Sequence, residues 1–480
     1  MIERVRLKLD EPEPVKVRSG PTLKRQAFTT SRLLDFCNEK ELTQQLGHGP
    51  DEWPLVVVKE LIDNALDACE EAGIAPVVSV KVDAEGIAVQ DNGPGLPAST
   101  LKGVMDFSVR VSSREAYVSP TRGAQGNAFK GILAIPYVVN GRVGHVQIEA
   151  LGKHSKIRME VDPIAQEPKL HLDTETTPTR RGTLVRVELP GLVKPKPKPE
   201  PEPKQKKVAP WFTVSASSND DEDQALKERF LQIADDFTWL NPHLDLTVDW
   251  SGEVRHVAPT NPSWTKWGPS DPTCPHWYTP ARFERLIAAN LSNQRNITVR
   301  EFISEFRGLS GSAKQKQVLD ATGLAREHLT GLVKGNDLDH DLIGKLLTEM
   351  KKHTKPVKPK QLGIIGHAHF FERFSAMGGE MESFKYVLKA DNNTETPGVV
   401  ECVFCWFGED DERQRRLVTG VNWSTAINNP FRSLGQIGVS LDTMLAHQRA
   451  TADEPVMLVV HVACPRVQYI DRGKSSLVIK

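Results

Sequence analysis

The chain has 480 residues, 39% of them apolar and 26% charged, and its formal net charge is -1. That length admits several domains with buried cores, while the near-zero charge excludes attraction of nucleic acid by the overall field and leaves it to local basic patches. The cysteines are scattered, no leader-like apolar stretch follows the opening MIERVRLKLDEPEP, and no run of about 18 apolar residues occurs. A disulfide framework, export and membrane spanning are therefore not expected, and the reducing cytoplasm is the expected compartment.

The first strong periodicity predicts a helix over 54–72. At roughly 100° per residue, Leu55, Val58, Leu61, Ile62, Ala65, Leu66, Ala68 and Cys69 share one arc, and Glu60, Asp63, Asn64, Asp67, Glu70 and Glu71 the other. Asparagine is a poor helix former, so Asn64 one turn after Glu60 poses a question. A solvated face and a ligand-facing one are both open at this point. Strands follow at 77–83 and 86–90, the second running directly into DNGPGLP at 91–97, where glycines permit positive φ and close approach to a flat ligand. The stretch SSREAYVSPTRGAQGNAFKGI, from Ser112 to Ile132, carries glycines that can turn successive backbone N–H groups toward phosphate.

Further strands are predicted near 144–150 and 183–189. The run KPKPKPEPEPKQKK must lie extended, as a tether or surface loop. A helical stretch then extends to KKHTKPVKPK at 351–360, which is a linker or a phosphate-tracking patch, and strands return in VVECVFCWF and PVMLVVHVAC around a helix near 433–448. The lone CxxC, Cys402 and Cys405, has no second pair to complete a zinc site and reads as core. DLDHDL at 337–342 reads as the capped acidic start of a helix and not as a metal-binding pair. Helix and strand patterns alternate in the first block, which is α/β or α+β, and the blocks are 1–268 (with a Pro/Lys-rich loop at 193–210), 269–357 and 358–480.

Among nucleotide motifs, GPGLPA after a strand formally fits a dinucleotide fingerprint, but its prolines would spoil the helix start that holds a pyrophosphate; no GxxxxGK[ST] exists. ELIDNALDA followed by DNGPGLP instead resembles the first two boxes of the GHKL ATPases, the superfamily of gyrase, MutL and the histidine kinases. With the Gly-rich stretch, the resemblance is to the B-subunit of DNA topoisomerase VI. It implies an α+β chain with a GHKL (Bergerat) ATP-binding α/β sandwich, a helix-two-turns-helix-like insert and a transducer-like α/β domain.

The same resemblance assigns roles. Glu60 would activate water, Asn64 would hold Mg²⁺, and Asp91 with Gly93, Gly95 and Thr183 would receive adenine. Ser113 and Arg114 match the pair ahead of the lid. Gly123, Ala124, Gln125, Gly126, Asn127 and Lys130 would form a phosphate-gripping lid, and Lys474 would be a switch lysine reaching from the transducer-like block. Asn241 and His243 in TWLNPHLDL read as structural. The lid departs from the family's GxxGxG in carrying Ala128, which puts its closure and the hydrolysis rate in question. The implied cofactors are ATP and Mg²⁺. The implied partners are DNA, a topoisomerase VI A-like cleavage subunit and a second copy in an ATP-dependent dimer; no acidic triad for strand cleavage can be assembled within this chain. The alternative is an ATP-gated clamp or scaffold in DNA defence or repair, with weak hydrolysis and no strand passage. The altered lid and a chain end soon after Lys474 favour it.

Overall fold

The computed structural model describes residues 36–105, 116–122, 128–162, 167–179, 181–193, 218–293, 295, 297–335, 337–391, 395–409, 413–433, 439–470 and 476–478. The chain is α+β, as its sequence predicts. After α1 (Glu39–Leu46) comes the long α2 (Trp53–Glu71), then β1 (Val77–Asp83), β2 (Gly86–Gln90), α3 (Ala98–Val104) and α4 (Ala128–Asn140). Strands β3 (Gly144–Ala150), β4 (Lys153–Val161), β5 (Pro168–Thr176) and β6 (Thr183–Glu188) precede α5 (Ser218–Leu240), β7 (Asp245–Trp250) and β8 (Glu253–Val257). These strands form one eight-stranded sheet in the order β5-β4-β3-β6-β2-β1-β7-β8. Only β1 and β7 pair in parallel, Val77 opposite Asp245; the other neighbours are antiparallel, as in Val80 opposite Val89.

One face of this sheet is covered. β1 alternates exposed and buried residues, burying Val78, Val80 and Val82, so its register follows from a half-buried strand. Leu55, Val58, Leu61, Ile62, Ala65, Leu66 and Cys69 of α2 are buried on this side, the aliphatic ones in one cluster with Phe230, Ala234 and Phe237 of α5 and Ile132 and Ile135 of α4. Each such aliphatic side chain contributes about 1.5–3 kcal/mol on burial. Helix α2 stops where Gly73 takes φ 66° and the Ile74 N–H reaches back to the Cys69 carbonyl at 2.9 Å, closing the last turn.

The middle of the chain is helical. α6 (Pro280–Ser292), α7 (Val299–Ser304), α8 (Ser312–Thr322) and α9 (His340–Lys352) are joined by short turns, with β9 (Val333–Lys334) and β10 (Asp337–Leu338) forming a small hairpin. Asp339 caps α9 by accepting from the Leu342 N–H at 3.0 Å, which accounts for DLDHDL, and no group of His, Cys, Asp and Glu that could hold a metal exists among the described residues. After α10 (His367–Ala376), the strands β11 (Lys385–Asp391), β12 (Gly398–Trp406), β13 (Arg416–Val421), β14 (Ser424–Thr425) and β15 (Val456–Ala463) form a five-stranded sheet. Its order is β11-β12-β15-β13-β14, with α11 (Leu441–His447) entering between β14 and β15.

The helical middle and this second sheet share one continuous apolar cluster, running from Trp277, Phe283 and Leu346 to Phe374, Val403 and Val459. Cys405 lies in it as a free thiol, and Cys402, also free, lies on the same strand. Of the 193–210 stretch, only Val193 is among the described residues. No described helix is long and apolar enough to cross a membrane.

Candidate functional site

Strand β2 delivers Asp91 to the end of the sheet beside the C-terminal part of α2. The turn after it is fixed by its neighbour. The Asn92 side-chain Oδ1 accepts from the Val77 N–H at 2.9 Å and from the Cys69 thiol at 3.3 Å, and its side-chain amide Nδ2 donates to the Ala75 carbonyl at 3.0 Å. Asn92 thus ties the loop to the α2–β1 corner. One oxygen of the Asp91 carboxylate collects the Gly93 N–H at 2.8 Å and the Thr183 N–H at 3.1 Å, while the Asp91 N–H donates to the Thr183 carbonyl at 3.0 Å. Burial pushes the Asp91 pKa above its ordinary value of 3.8, against the pull of the Gly93 and Thr183 donors.

Glycine is needed at this turn for two separate reasons. At Gly182 (φ 86°), directly before Thr183, an added Cβ would collide with the Asp91 carbonyl oxygen, so the close approach of the two segments depends on its absence. Gly95 takes φ 89° against the side chain of Leu151.

Gly93 packs on Cys69 and the backbone of Ala68. This contact relates the turn to α2. Glu60, Asn64 and Ala68 stand four residues apart and form a single row, so Asn64 lies about 6 Å and Glu60 about 12 Å along the axis from the turn. Asn64 is exposed, and Glu60 and Ala68 are partly so. The row is an accessible stripe leading from Glu60 to the Asp91 turn.

The rest of the polar face of α2 is largely closed off, which divides an arc the helical wheel presents as one. Arg122, 3% exposed, lies immediately before the Gly-rich stretch. Its guanidinium donates to Asp67 and to both oxygens of Glu70, each at 2.7 Å, and to Asn241 Oδ1 at 2.5 Å. Lys266 reaches Glu70 at 2.7 Å and His243 Nε2 donates to it at 3.0 Å. Burial opposes ionisation of Glu70, yet Arg122 and Lys266 outweigh it and hold the carboxyl well below the usual carboxylate range. Asn241 and His243 are accordingly buried and structural, as their sequence context suggests. Asn241 also donates to the Trp423 carbonyl at 2.9 Å, so the seam joins α2, the segment that ends at Arg122 and the second sheet.

The residues before Arg122 are docked on the helical middle of the chain. The Val118 N–H donates to the Tyr278 hydroxyl at 2.9 Å, the Thr273 hydroxyl donates to the Val118 carbonyl at 2.6 Å, and the Thr273 N–H donates to the Tyr117 hydroxyl at 2.9 Å. Lys130 is buried in the first turn of α4 and Thr183 is buried at the start of β6. Ser113, Arg114, Gly123, Ala124, Gln125, Gly126, Asn127 and Lys474 lie outside the described residues. The structure therefore joins Asp91, Gly93 and Thr183 directly, and links Glu60 and Asn64 to them along α2.

Sequence reasoning did not single out Lys59, Asn92, Arg122, Gly182 or Ser424. Gly182 carried a usable signal, since RGT at the start of a predicted strand places glycine beside a pocket threonine. Arg122 adjoining a Gly-rich stretch was another. Ser424 carried none, because its partner Asp63 is 361 residues away.

No family model matches the chain. It is 32% identical over 160 residues to the B-subunit of type 2 DNA topoisomerase 6 from Natronomonas pharaonis, covering 31% of this chain and 19% of that protein. Over 92 residues it is 38% identical to the protein of the same name from Archaeoglobus fulgidus, covering 18% of this chain and 15% of that one. The matches thus span under a quarter of these relatives' lengths. Among solved structures, the B-subunit of DNA gyrase from Myxococcus xanthus is 13% identical over 93% of this chain and 88% of that one, with a TM-score of 0.34, a likeness too loose to bear on fold or site. Over part of its length, this chain is similar to the B-subunit of type 2 DNA topoisomerase 6, as the motifs around Glu60, Asn64 and Asp91 suggest.

Proposed function

We propose that the chain is the Mg²⁺-dependent ATP-binding and ATP-hydrolysing component of a topoisomerase VI-like complex, a clamp that closes on DNA when nucleotide joins two copies. The observation that carries this reading is the accessible row Glu60–Asn64–Ala68 running into the Asp91 turn at the Gly93 contact. The residues fit the nucleotide. Asp91 is a desolvated carboxylate whose backbone donors fix its orientation, which suits an acceptor for an exocyclic amine. Gly93, Gly95 and Gly182 keep the turn narrow enough for a planar base to lie against it. The exposed amide of Asn64 offers the hard oxygen that Mg²⁺ prefers, and the ion would supply charge neutralisation at the phosphates.

Within this reading Glu60 orients water and takes its proton. Thr183 helps Asp91 hold the base. Lys130, the Gly123–Asn127 stretch and Lys474 serve the phosphates, with Ser113 and Arg114 ahead of the lid. Blocks 1–268, 269–357 and 358–480 are the ATPase, the helix-two-turns-helix-like insert and the transducer-like domain. Arg122 contacts α2 and, through Asn241, the second sheet, so a lid that moves on binding would pull on both. A separate A-like subunit would cut and reseal DNA.

The reading is tested by ATP binding, ATP turnover and light scattering on the wild type, Glu60→Gln and Asp91→Asn, with and without DNA. Glu60→Gln should keep nucleotide binding and ATP-dependent dimerisation while turnover falls by roughly 100- to 1,000-fold. Asp91→Asn should lose binding. A Glu60→Gln protein that hydrolyses at the wild-type rate removes Glu60 from the role of base. Nucleotide-driven dimerisation with negligible turnover in the wild type would identify a gated scaffold instead.

A further inference from the structure

Next to the accessible row on α2 lies a buried relay that the mechanism above does not use. The Lys59 ammonium donates to Glu60 Oε1 at 3.1 Å and to Asp63 Oδ2 at 2.9 Å, and the side chains of Lys59 and Asp63 are 8% and 4% exposed. Asp63 Oδ2 also accepts from the Ser424 hydroxyl at 2.7 Å, across from the second sheet. Burial opposes the charge on Lys59, but Asp63 and Glu60 outweigh it and hold the ammonium above the ordinary lysine value. A buried lysine that stays charged must be paired, and here one of its partners is the proposed base.

Ser424 is held by a turn that its surroundings over-determine. Asn422 and Trp423 link β13 to β14 with φ of 51° and 62°, a geometry that a bulky residue such as tryptophan rarely adopts. The Asn422 N–H donates to the Val462 carbonyl and its side chain accepts from the Cys464 N–H, both at 2.8 Å. The Trp423 N–H donates to His461 Nε2 at 3.3 Å, and the other nitrogen of that ring meets Glu401 Oε2 at 3.2 Å in a pair with no exposure. Its carbonyl accepts from Asn241, and Lys266 lies 4.9 Å from the centroid of its indole ring. A strained turn braced in this way, whose Ser424 hydroxyl reaches Asp63 on α2, has the character of a positioning device.

We propose that Lys59 is a positioning residue for Glu60 and that the β13–β14 hairpin sets it. Ser424 holds Asp63, Asp63 holds Lys59, and Lys59 fixes the orientation and the ionised form of the Glu60 carboxylate. The proposal rests on the reading of Glu60 as the base. Its consequence is that the second sheet controls hydrolysis by a route that involves no contact with nucleotide: drawing the hairpin away leaves Asp63 Oδ2 to Lys59 alone, draws the ammonium toward Asp63 and weakens the hold on Glu60. Among the described residues, the charged and titratable groups around the relay are Lys59 and Asp63 on α2, Asp67 one turn on, which interacts electrostatically with Asp63, Arg122, whose Nε stands 3.8 Å from Asp63 Oδ1, and Tyr469 of the second sheet's block, which interacts electrostatically with Lys59 and Asp63.

The test is a pH–rate profile of ATP turnover, with separate equilibrium binding of a fluorescent ATP analogue, on the full chain and on Lys59→Met, Lys59→Arg and Ser424→Ala. Lys59→Met should lower kcat by about 100-fold, leave analogue affinity within about threefold, and move the acid limb up by about one pH unit, because a carboxylate that loses its cation is protonated more readily. Lys59→Arg should restore most of the rate. Ser424→Ala should move the limb the same way by a smaller amount. A Lys59→Met protein that binds the analogue and keeps the wild-type rate and limb overturns the proposal while leaving the ATPase reading intact. Should Lys59→Met fail to fold, Ser424→Ala decides alone, and an unmoved limb overturns the proposal. A wild type that binds no analogue sinks the ATPase reading and the proposal together.

Discussion

The two ends of the accessible row on α2 are built differently. At the Asp91 end the geometry is made by backbone: Gly93 and Thr183 N–H groups on one carboxylate oxygen, Asn92 stitched to the corner beside it, and Gly182 clearing the way for the Asp91 carbonyl. At the Glu60 end it is made by side chains, one of them brought from far along the chain: Ser424 acts on Asp63 and Asp63 on Lys59. The first end needs only the first sheet and the α2 corner beside it, with nothing from the second sheet, and is therefore preformed. The second depends on the second sheet being docked, so it can be switched. On the proposed reading, recognition and hydrolysis are thereby placed under separate control on one helix.

The strongest way to break the turn end alone is Gly182→Ala. The methyl group meets a backbone carbonyl and the residue must hold φ 86°, so the loss should be on the order of 4–5 kcal/mol, with nucleotide binding lost in protein that still folds. Urea unfolding and analogue binding measure the two effects. A variant as stable as the wild type would show that the turn can relax and is not preformed.

Next is Arg122→Met, which attacks the seam instead. It leaves Glu70 and Asp67 buried without their guanidinium, at a cost of about 3–4 kcal/mol. The Asp91 turn is untouched, so binding per folded molecule should hold while turnover and ATP-driven dimerisation fall. Equal loss of binding would mean that the two ends are not separable.

Acid should separate them without mutation. The Glu70 carboxyl titrates well below its ordinary 4.5 in the folded chain, so its contribution is complete above about pH 4.5 and is lost as pH falls through the lower folded value. Asp91 titrates above its ordinary 3.8, and protonation removes the acceptor needed for an amine. Nucleotide affinity should therefore decline at a pH where the fold still stands, by up to about 1.4 kcal/mol per unit for one coupled proton. Binding titrations and thermal melts over the same pH series would detect a coincident loss, which would contradict the separation.

The smallest effect is expected for Asn92→Ala, about 1–2 kcal/mol, because the Val77 N–H and the Ala75 carbonyl keep access to water when their partner leaves. It should weaken analogue binding slightly and leave the pH–rate limb where it is.

Much of the fold was legible because it is written in local periodicity. The α2 helix, the strands at 77–83, 86–90 and 144–150, and the cap at Asp339 follow from apolar spacing and turn residues within a few positions of each other. The paired strands β4 and β5 are not among the expected ones: β5 is an edge strand that alternates only between partly buried and exposed residues, Leu170 and Leu172 giving it two apolar positions, so its periodicity is weak. In the site, Asp91 with its glycines could be read because a tight turn constrains residue type directly. Lys59 could not, since a charged residue on a helix looks the same in sequence whether water or buried carboxylates surround it.

What the sequence by itself determined is the α+β order of elements, the row Glu60–Asn64 on one helix and the acid that follows β2, all consequences of backbone geometry acting over short spans. Only the tertiary structure decided which part of the polar arc of α2 stays accessible and which part is sealed by Arg122, Lys266 and Ser424. The reason is that pairing of buried charges is set by which surfaces meet, and nothing in the local chain of α2 records the arrival of a hydroxyl from 361 residues away.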